Sequence, residues 1–163
     1  MIYCVDSQIL IWGIKKQFTE GQENKIERAE SFFRKVDEEG HQILIPTVVL
    51  AEILAPEPKG KYSMYMDVIN ESFMIGEFNT MCAIRYAEIL HNRFEDLKQF
   101  AHNNGIRREK MKADFMVLAT ALAYNAHTLY TNDKGLLSIA SGYIQACEIP
   151  KLPATQMDLF KEL

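Results

Sequence analysis

Short apolar runs of strand length alternate along the chain with longer stretches whose apolar positions recur every three or four residues. Ile2–Val5 reads as a first strand, followed by a helix from Ser7 to about Lys16. Ile26, Ala29, Phe32, Phe33 and Val36 then mark one face of a helix over about Asn24–Glu39, which Gly40 ends. QILI (42–45) is a second strand, and Pro46 opens a helix through TVVLAEIL, because a first turn does not need its missing N–H. A loop, PEPKGK (56–61), leads to an amphipathic stretch over Tyr62–Glu71 and a strand in FMIGEF (73–78). Asn79 or Thr80 caps a long helix reaching about Asn103. After Gly105 a basic stretch, IRREKMK, precedes a helix ADFMVLATALAYN and a strand AHTLYT (126–131). A short helix LLSIA and a last strand within YIQACEI complete the pattern.

Apolar strands separated by helices predict an α/β protein with parallel pairing and helices on both faces of the sheet. At 163 residues the chain is long enough for one domain with a real core. We expect that domain over 1–150, with a tail over 151–163. Hydrophobic residues at 48% and charged residues at 25% are ordinary for a globular protein, and no apolar run approaches a membrane span. The N-terminal segment has neither a basic leader nor a small-residue cleavage site, so it reads as a strand rather than a signal peptide. Cys4, Cys82 and Cys147 are widely spaced, which argues against a disulfide framework or a zinc site and for free thiols in a reducing cytoplasm. The four histidines show no ligand spacing.

The net charge of −4 disfavours a nucleic-acid partner unless several acids are gathered in one pocket that a cation neutralises. Four acids are candidates. In an open parallel sheet, ligands bind beyond the carboxyl ends of the strands. Asp6 directly follows the first strand, and Asp133 follows the AHTLYT strand after one residue. Glu52 lies in the helix after the second strand, in a run with no other charge. Asp114 falls in the first turn of its expected helix, on one face with Val117, Leu118, Ala121 and Leu122. No basic residue adjoins Glu52 or Asp114 in sequence, and an unpaired carboxylate in apolar company is costly.

Each acid alone has a plainer explanation. Asp6 serves as a helix N-cap, Asp114 suits a helix dipole, Asp133 suits a turn, and Glu52 fits an exposed helix stripe. The conjunction points further. Carboxylates gathered at one end of a sheet repel one another, and a hard dication relieves that repulsion; oxygen-only ligands select Mg²⁺ or Mn²⁺ over zinc. Such a centre activates water for phosphodiester hydrolysis. No P-loop or glycine-rich fingerprint suggests nucleotide binding instead.

These residues resemble a PIN domain, particularly the VapC-like ribonucleases of toxin–antitoxin pairs. The resemblance rests on VDS at 5–7, PTVVLAEIL at 46–54 and KADFMVLATALAYNAHTLYTND at 112–133. Its most specific part is Asp114-x4-Ala119-Thr120-Ala121 followed by Thr131-x-Asp133. The resemblance implies a three-layer α/β/α sandwich with a central parallel sheet. It also implies a metal-dependent endoribonuclease using Asp6, Glu52, Asp114 and Asp133, the first three holding the principal Mg²⁺ or Mn²⁺ and Asp133 completing the acidic pocket or helping to hold a second ion. Ser7 and Thr131 would hydrogen-bond the carboxylates or water, and Asn132 would touch substrate. The family implies a protein antitoxin and a homodimer. The chain is somewhat long for a minimal toxin, with extra helical material and a tail.

Arg107, Arg108, Lys110 and Lys112 are candidates for tracking an RNA backbone into the site; the plainer account is a solvated loop. Trp12 is expected in the core. QMDLF (156–160) resembles the pentapeptide by which bacterial replication and repair proteins dock onto the sliding clamp; an amphipathic turn packing Met157, Leu159 and Phe160 is the alternative. A catalytically silent PIN module that binds nucleic acid or a protein partner is the alternative function. A haloacid-dehalogenase phosphatase is excluded, since Gln8 stands where that family needs its second Asp.

Overall fold

The computed structural model describes residues 1–103 and 108–152, without the side chains of Glu23, residues 93–103 and Arg108. Arg107, the Arg108 side chain and the QMDLF segment therefore lie outside the described residues.

Five strands, β1 (Ile2–Val5), β2 (Gln42–Pro46), β3 (Met74–Gly76), β4 (Thr128–Tyr130) and β5 (Gln145–Cys147), form one sheet in the order β3-β2-β1-β4-β5, every pair parallel. Among the described residues seven helices flank it: α1 (Ser7–Leu10), α2 (Glu23–Glu38), α3 (Thr47–Leu54), α4 (Tyr62–Ser72), α5 (Thr80–Asn103), α6 (Arg108–Ala123) and α7 (Lys134–Ala140). None of the described helices is long and apolar enough to cross a membrane.

Neighbouring positions of β2 show how the layers arise, because successive side chains of a strand face opposite sides. Ile43 lines a groove with Phe33 and Val36 of α2. Leu44 lies beside Thr120 of α6, where both crowd Gly76. Tyr3, the register partner of Ile43, meets the Phe32 ring of α2 at 6.4 Å between centroids. So α2 and α6 cover opposite faces, in the α/β/α arrangement with a central parallel sheet expected of a PIN-like fold. A sheet covered on both faces needs near-continuous apolar strands, and Leu44, Ile45, Cys4, Val5 and Leu129 are fully buried.

The apolar stripe of α2 buries Ala29, Phe32 and Val36 at helical spacing. Its end is set by Gly40, whose φ of +67° lets the Gly40 and His41 N–H groups turn back onto the carbonyls of Asp37 and Val36, both at 2.9 Å. Trp12 is fully buried. Buried Arg28 of α2 donates to the carbonyls of Ile149 and Pro150, fastening the chain after β5 beneath that helix.

Several boundaries differ from the sequence reading. The helix expected to run from Ser7 to Lys16 is α1 followed by a wider π-helical turn, Ile11–Lys15, where Gly13 lies against the Phe33 ring. The strands around FMIGEF, AHTLYT and YIQACEI shorten to three residues each, Met74–Gly76, Thr128–Tyr130 and Gln145–Cys147. A 3₁₀ turn, Lys59–Lys61, occupies part of the expected loop. The largest difference is at α6. Its described residues already include Arg108, so Lys110 and Lys112 lie on the helix and not on a loop before it. Asp114 consequently sits nearly two turns inside α6, where the dipole of a first turn no longer explains it.

Candidate active site

Strand order locates the site. The chain builds outward from β1 to β2 and β3, then returns to place β4 on the other side of β1. Connections leaving β1 and β4 diverge, opening a crevice at their carboxyl ends. There the Asp6 N–H donates to the Tyr130 carbonyl at 3.1 Å, joining the last turns of both strands.

Asp6 caps α1 with its backbone extended (φ −85°, ψ 163°). Its Oδ1 accepts from the Ser7 N–H at 2.6 Å and the Ser7 hydroxyl at 3.3 Å. Its Oδ2 accepts from the Thr131 hydroxyl at 2.8 Å. Asp133 caps α7: its Oδ1 accepts from the Gly135 and Leu136 N–H groups at 2.7 and 3.0 Å, and its Oδ2 pairs with the Lys110 ammonium. Asp6 and Asp133 are thus helix caps as well as members of the cleft. Asp114 reaches the same cleft from α6 and Glu52 from α3. Together with Ser7, Gln8, Lys110 and Asn132 these four acids line a cleft of about 250 Å³.

The acids differ in their surroundings. Asp114 is 9% exposed, and its Oδ2 is buried without a hydrogen-bond partner. Burial, then the charge of Asp133, push its pKa up to about 7, against the pull of Lys110. Asp6 is raised by burial, partly offset by the Thr131 and Ser7 hydrogen bonds. Glu52 as a residue is exposed, contrary to the inward place its apolar neighbours suggested. Its carboxylate nevertheless turns toward Ser7, and crowding in the cleft raises its pKa, first by desolvation, with Ser7 opposing. Asp133 goes the other way. Burial acts to raise it, but the Lys110 bond and the Leu136 and Gly135 N–H groups outweigh burial and hold its pKa below the usual value.

Lys110 was missed as a member of the acid cluster. Its signal was its place four residues before Asp114, one helical turn away, legible only once the helix is begun at Arg108. Gln8 was missed too; it lines the cleft two positions after Asp6. Asn132 Oδ1 accepts from Lys25 at 2.9 Å, and the same ammonium lies 5.1 Å over the Trp12 ring. Lys112 is exposed on α6.

Among the described residues no three His, Cys, Asp or Glu side chains are already gathered closely enough to hold a metal ion. The unpartnered Asp114 oxygen, and the pKa values of Asp6, Glu52 and Asp114, each raised first by burial, nevertheless mark carboxylate oxygens that a bound cation would satisfy. The donor set is oxygen throughout, which suits a hard dication. A larger groove of about 680 Å³, floored by Phe33, Tyr65, Val68 and Phe73, shares no residue with the acidic cleft and lacks such a cluster.

No protein-family model matches the chain, and no curated protein matches it. Among solved structures it is similar to a chain of VapBC2 from Rickettsia felis, determined bound to a DNA fragment from their promoter. The TM-score is 0.57 at 22% identity, covering 90% of this chain and 97% of that one. At that identity the likeness is one of fold.

Proposed function

We propose that this protein is a Mg²⁺- or Mn²⁺-dependent endoribonuclease of the PIN type, serving as the toxin of a toxin–antitoxin pair. The observation that carries the reading is the convergence of Asp6, Glu52, Asp114 and Asp133 at the switch point between β1 and β4, with one Asp114 oxygen buried and unpartnered. Asp6, Glu52 and Asp114 would hold the ion, and Asp133 would complete the acidic pocket. When bound, the ion supplies a water of lowered pKa and neutralises charge on the scissile phosphate. The protein's own groups hold the geometry. Thr131 and Ser7 fix the two oxygens of Asp6, and Thr131 also accepts from the Asp133 N–H at 3.0 Å, setting both acids from one hydroxyl. Asn132, which accepts from Lys25, would meet substrate. Arg107, Arg108 and Lys112 would follow the RNA backbone, a contact that salt weakens. Fold likeness to a chain of a VapBC complex supports a toxin with a protein antitoxin, and a homodimer is proposed on the same family resemblance.

A second reading, a catalytically silent module that binds nucleic acid or protein, is favoured by one observation. The Lys110 ammonium already neutralises Asp133 within the cleft. A cleavage assay separates the two. The purified chain should cut single-stranded or structured RNA in Mg²⁺ or Mn²⁺, and lose that activity in excess EDTA or as Asp114→Asn. Cleavage unaffected by either change sinks the metal-dependent mechanism. Metal binding without cleavage selects the silent module.

A further inference from the structure

Among the described residues Lys110 is the sole basic side chain lining the acidic cleft. It stands four residues before Asp114 on α6, so both share one helix face. Its one hydrogen bond among the described residues is to Asp133 Oδ2, and its side chain is 53% exposed. The ammonium thus enters from solvent, on a flexible four-carbon stem, with a single hydrogen bond to release among the described residues. Its charge also favours the ionised forms of Glu52 and Asp114.

We infer that Lys110 is a tethered counter-ion: its ammonium offsets part of the cleft's negative charge, at Asp133, while no dication is bound, and leaves Asp133 when one enters. The inference rests on the metal-dependent reading above. Two cations in a cleft of about 250 Å³ repel, and only one of them can withdraw without diffusing away. A dication brings twice the charge and coordinates several oxygens directly, whereas the ammonium brings one charge and its hydrogen bonds. The lysine would therefore set how tightly the site takes its metal, releasing its charge toward the cleft mouth as the metal loads.

The test is Mn²⁺ binding to the full chain without RNA, followed by calorimetry or by the loss of the free-ion EPR signal. Lys110→Met should bind Mn²⁺ about tenfold more tightly than the unaltered protein. Lys110→Arg, which keeps the charge, should stay near the unaltered affinity. Lys110→Gln is a second neutral variant, and circular dichroism verifies that each variant folds. Equal Mn²⁺ affinity in the neutral variants and the unaltered protein overturns the counter-ion and leaves the metal-dependent reading standing. Tightening by Lys110→Arg as well also overturns it, since charge would not be the cause. Failure of every form to bind Mn²⁺ removes both the counter-ion and the reading beneath it.

Discussion

The Thr131 hydroxyl donates to Asp6 Oδ2 at 2.8 Å, tying the end of β4 to the acid that ends β1 across 125 positions of sequence. The same oxygen accepts from the Asp133 N–H at 3.0 Å, and Thr131 is fully buried. Thr131→Val keeps the shape and removes both bonds. It leaves a carboxylate oxygen and an N–H without partners, a loss of about 2–3 kcal/mol. A lower midpoint in urea unfolding, with RNA cleavage reduced about tenfold or more, is expected. Unchanged stability would show that the hydroxyl is dispensable.

Asp114→Asn should do opposite things to stability and activity. The amide ends repulsion from Asp133, Asp6 and Glu52, so above about pH 7, where Asp114 is ionised, the metal-free protein should gain about 1–3 kcal/mol. Cleavage should fall below detection. Urea unfolding in EDTA beside an RNA assay reads both. A variant destabilised like a core truncation would mean that Asp114 is structural.

The metal-free protein should be less stable at alkaline pH. Asp114 has its pKa raised from 3.8 to about 7, so between those values the folded protein binds a proton that the unfolded chain has released. Stability therefore falls as pH rises through that window and levels off above about pH 8. From about pH 5 to about pH 8 the loss is roughly 2–3 kcal/mol from this group. Asp6 and Glu52, also raised, act in the same direction. Asp133, lowered, contributes with the opposite sign and only as pH falls below its ordinary value of 3.8. Thermal unfolding in EDTA across this range should show the slope, and Asp114→Asn should flatten most of it.

A packing change outside the acidic cleft gives a contrasting signature. A Cβ at Gly76 would lie 2.9 Å from both Leu44 Cδ1 and Thr120 Cγ2, methyl groups of fully buried residues. Gly76→Ala should destabilise by about 1–3 kcal/mol through overpacking of β3 against α6. Cleavage per folded molecule should stay unchanged. Loss of activity in step with Thr131→Val would mean that the α6 position controls the acids more tightly than the packing implies.

Much of this protein was legible in its sequence because the relevant forces are local or periodic. The stripe through Ala29, Phe32 and Val36 declares α2, since a helix returns to the same face every three or four residues. Asp6 and Asp133 stand immediately beyond short apolar runs, and a parallel sheet delivers such positions to one edge. Boundaries were harder. Charged residues such as Arg108, Glu109, Lys110 and Lys112 carry no apolar period, so the first turns of α6 read as loop. Glu52 looked inward because its neighbours are apolar, yet α3 turns most of that residue to solvent.

The sequence by itself determined which segments become strands and helices, and which acids arrive at strand ends. Backbone conformation depends largely on near neighbours, and the apolar face of a helix or strand recurs at its own period along the chain. Only the tertiary structure decided that β4 lies beside β1, that one threonine steadies Asp6 and the Asp133 backbone, and that a lysine enters the acidic cleft. Those relations depend on charges and hydroxyls meeting through space after the chain has crossed over. Distance along the sequence carries no record of that crossing.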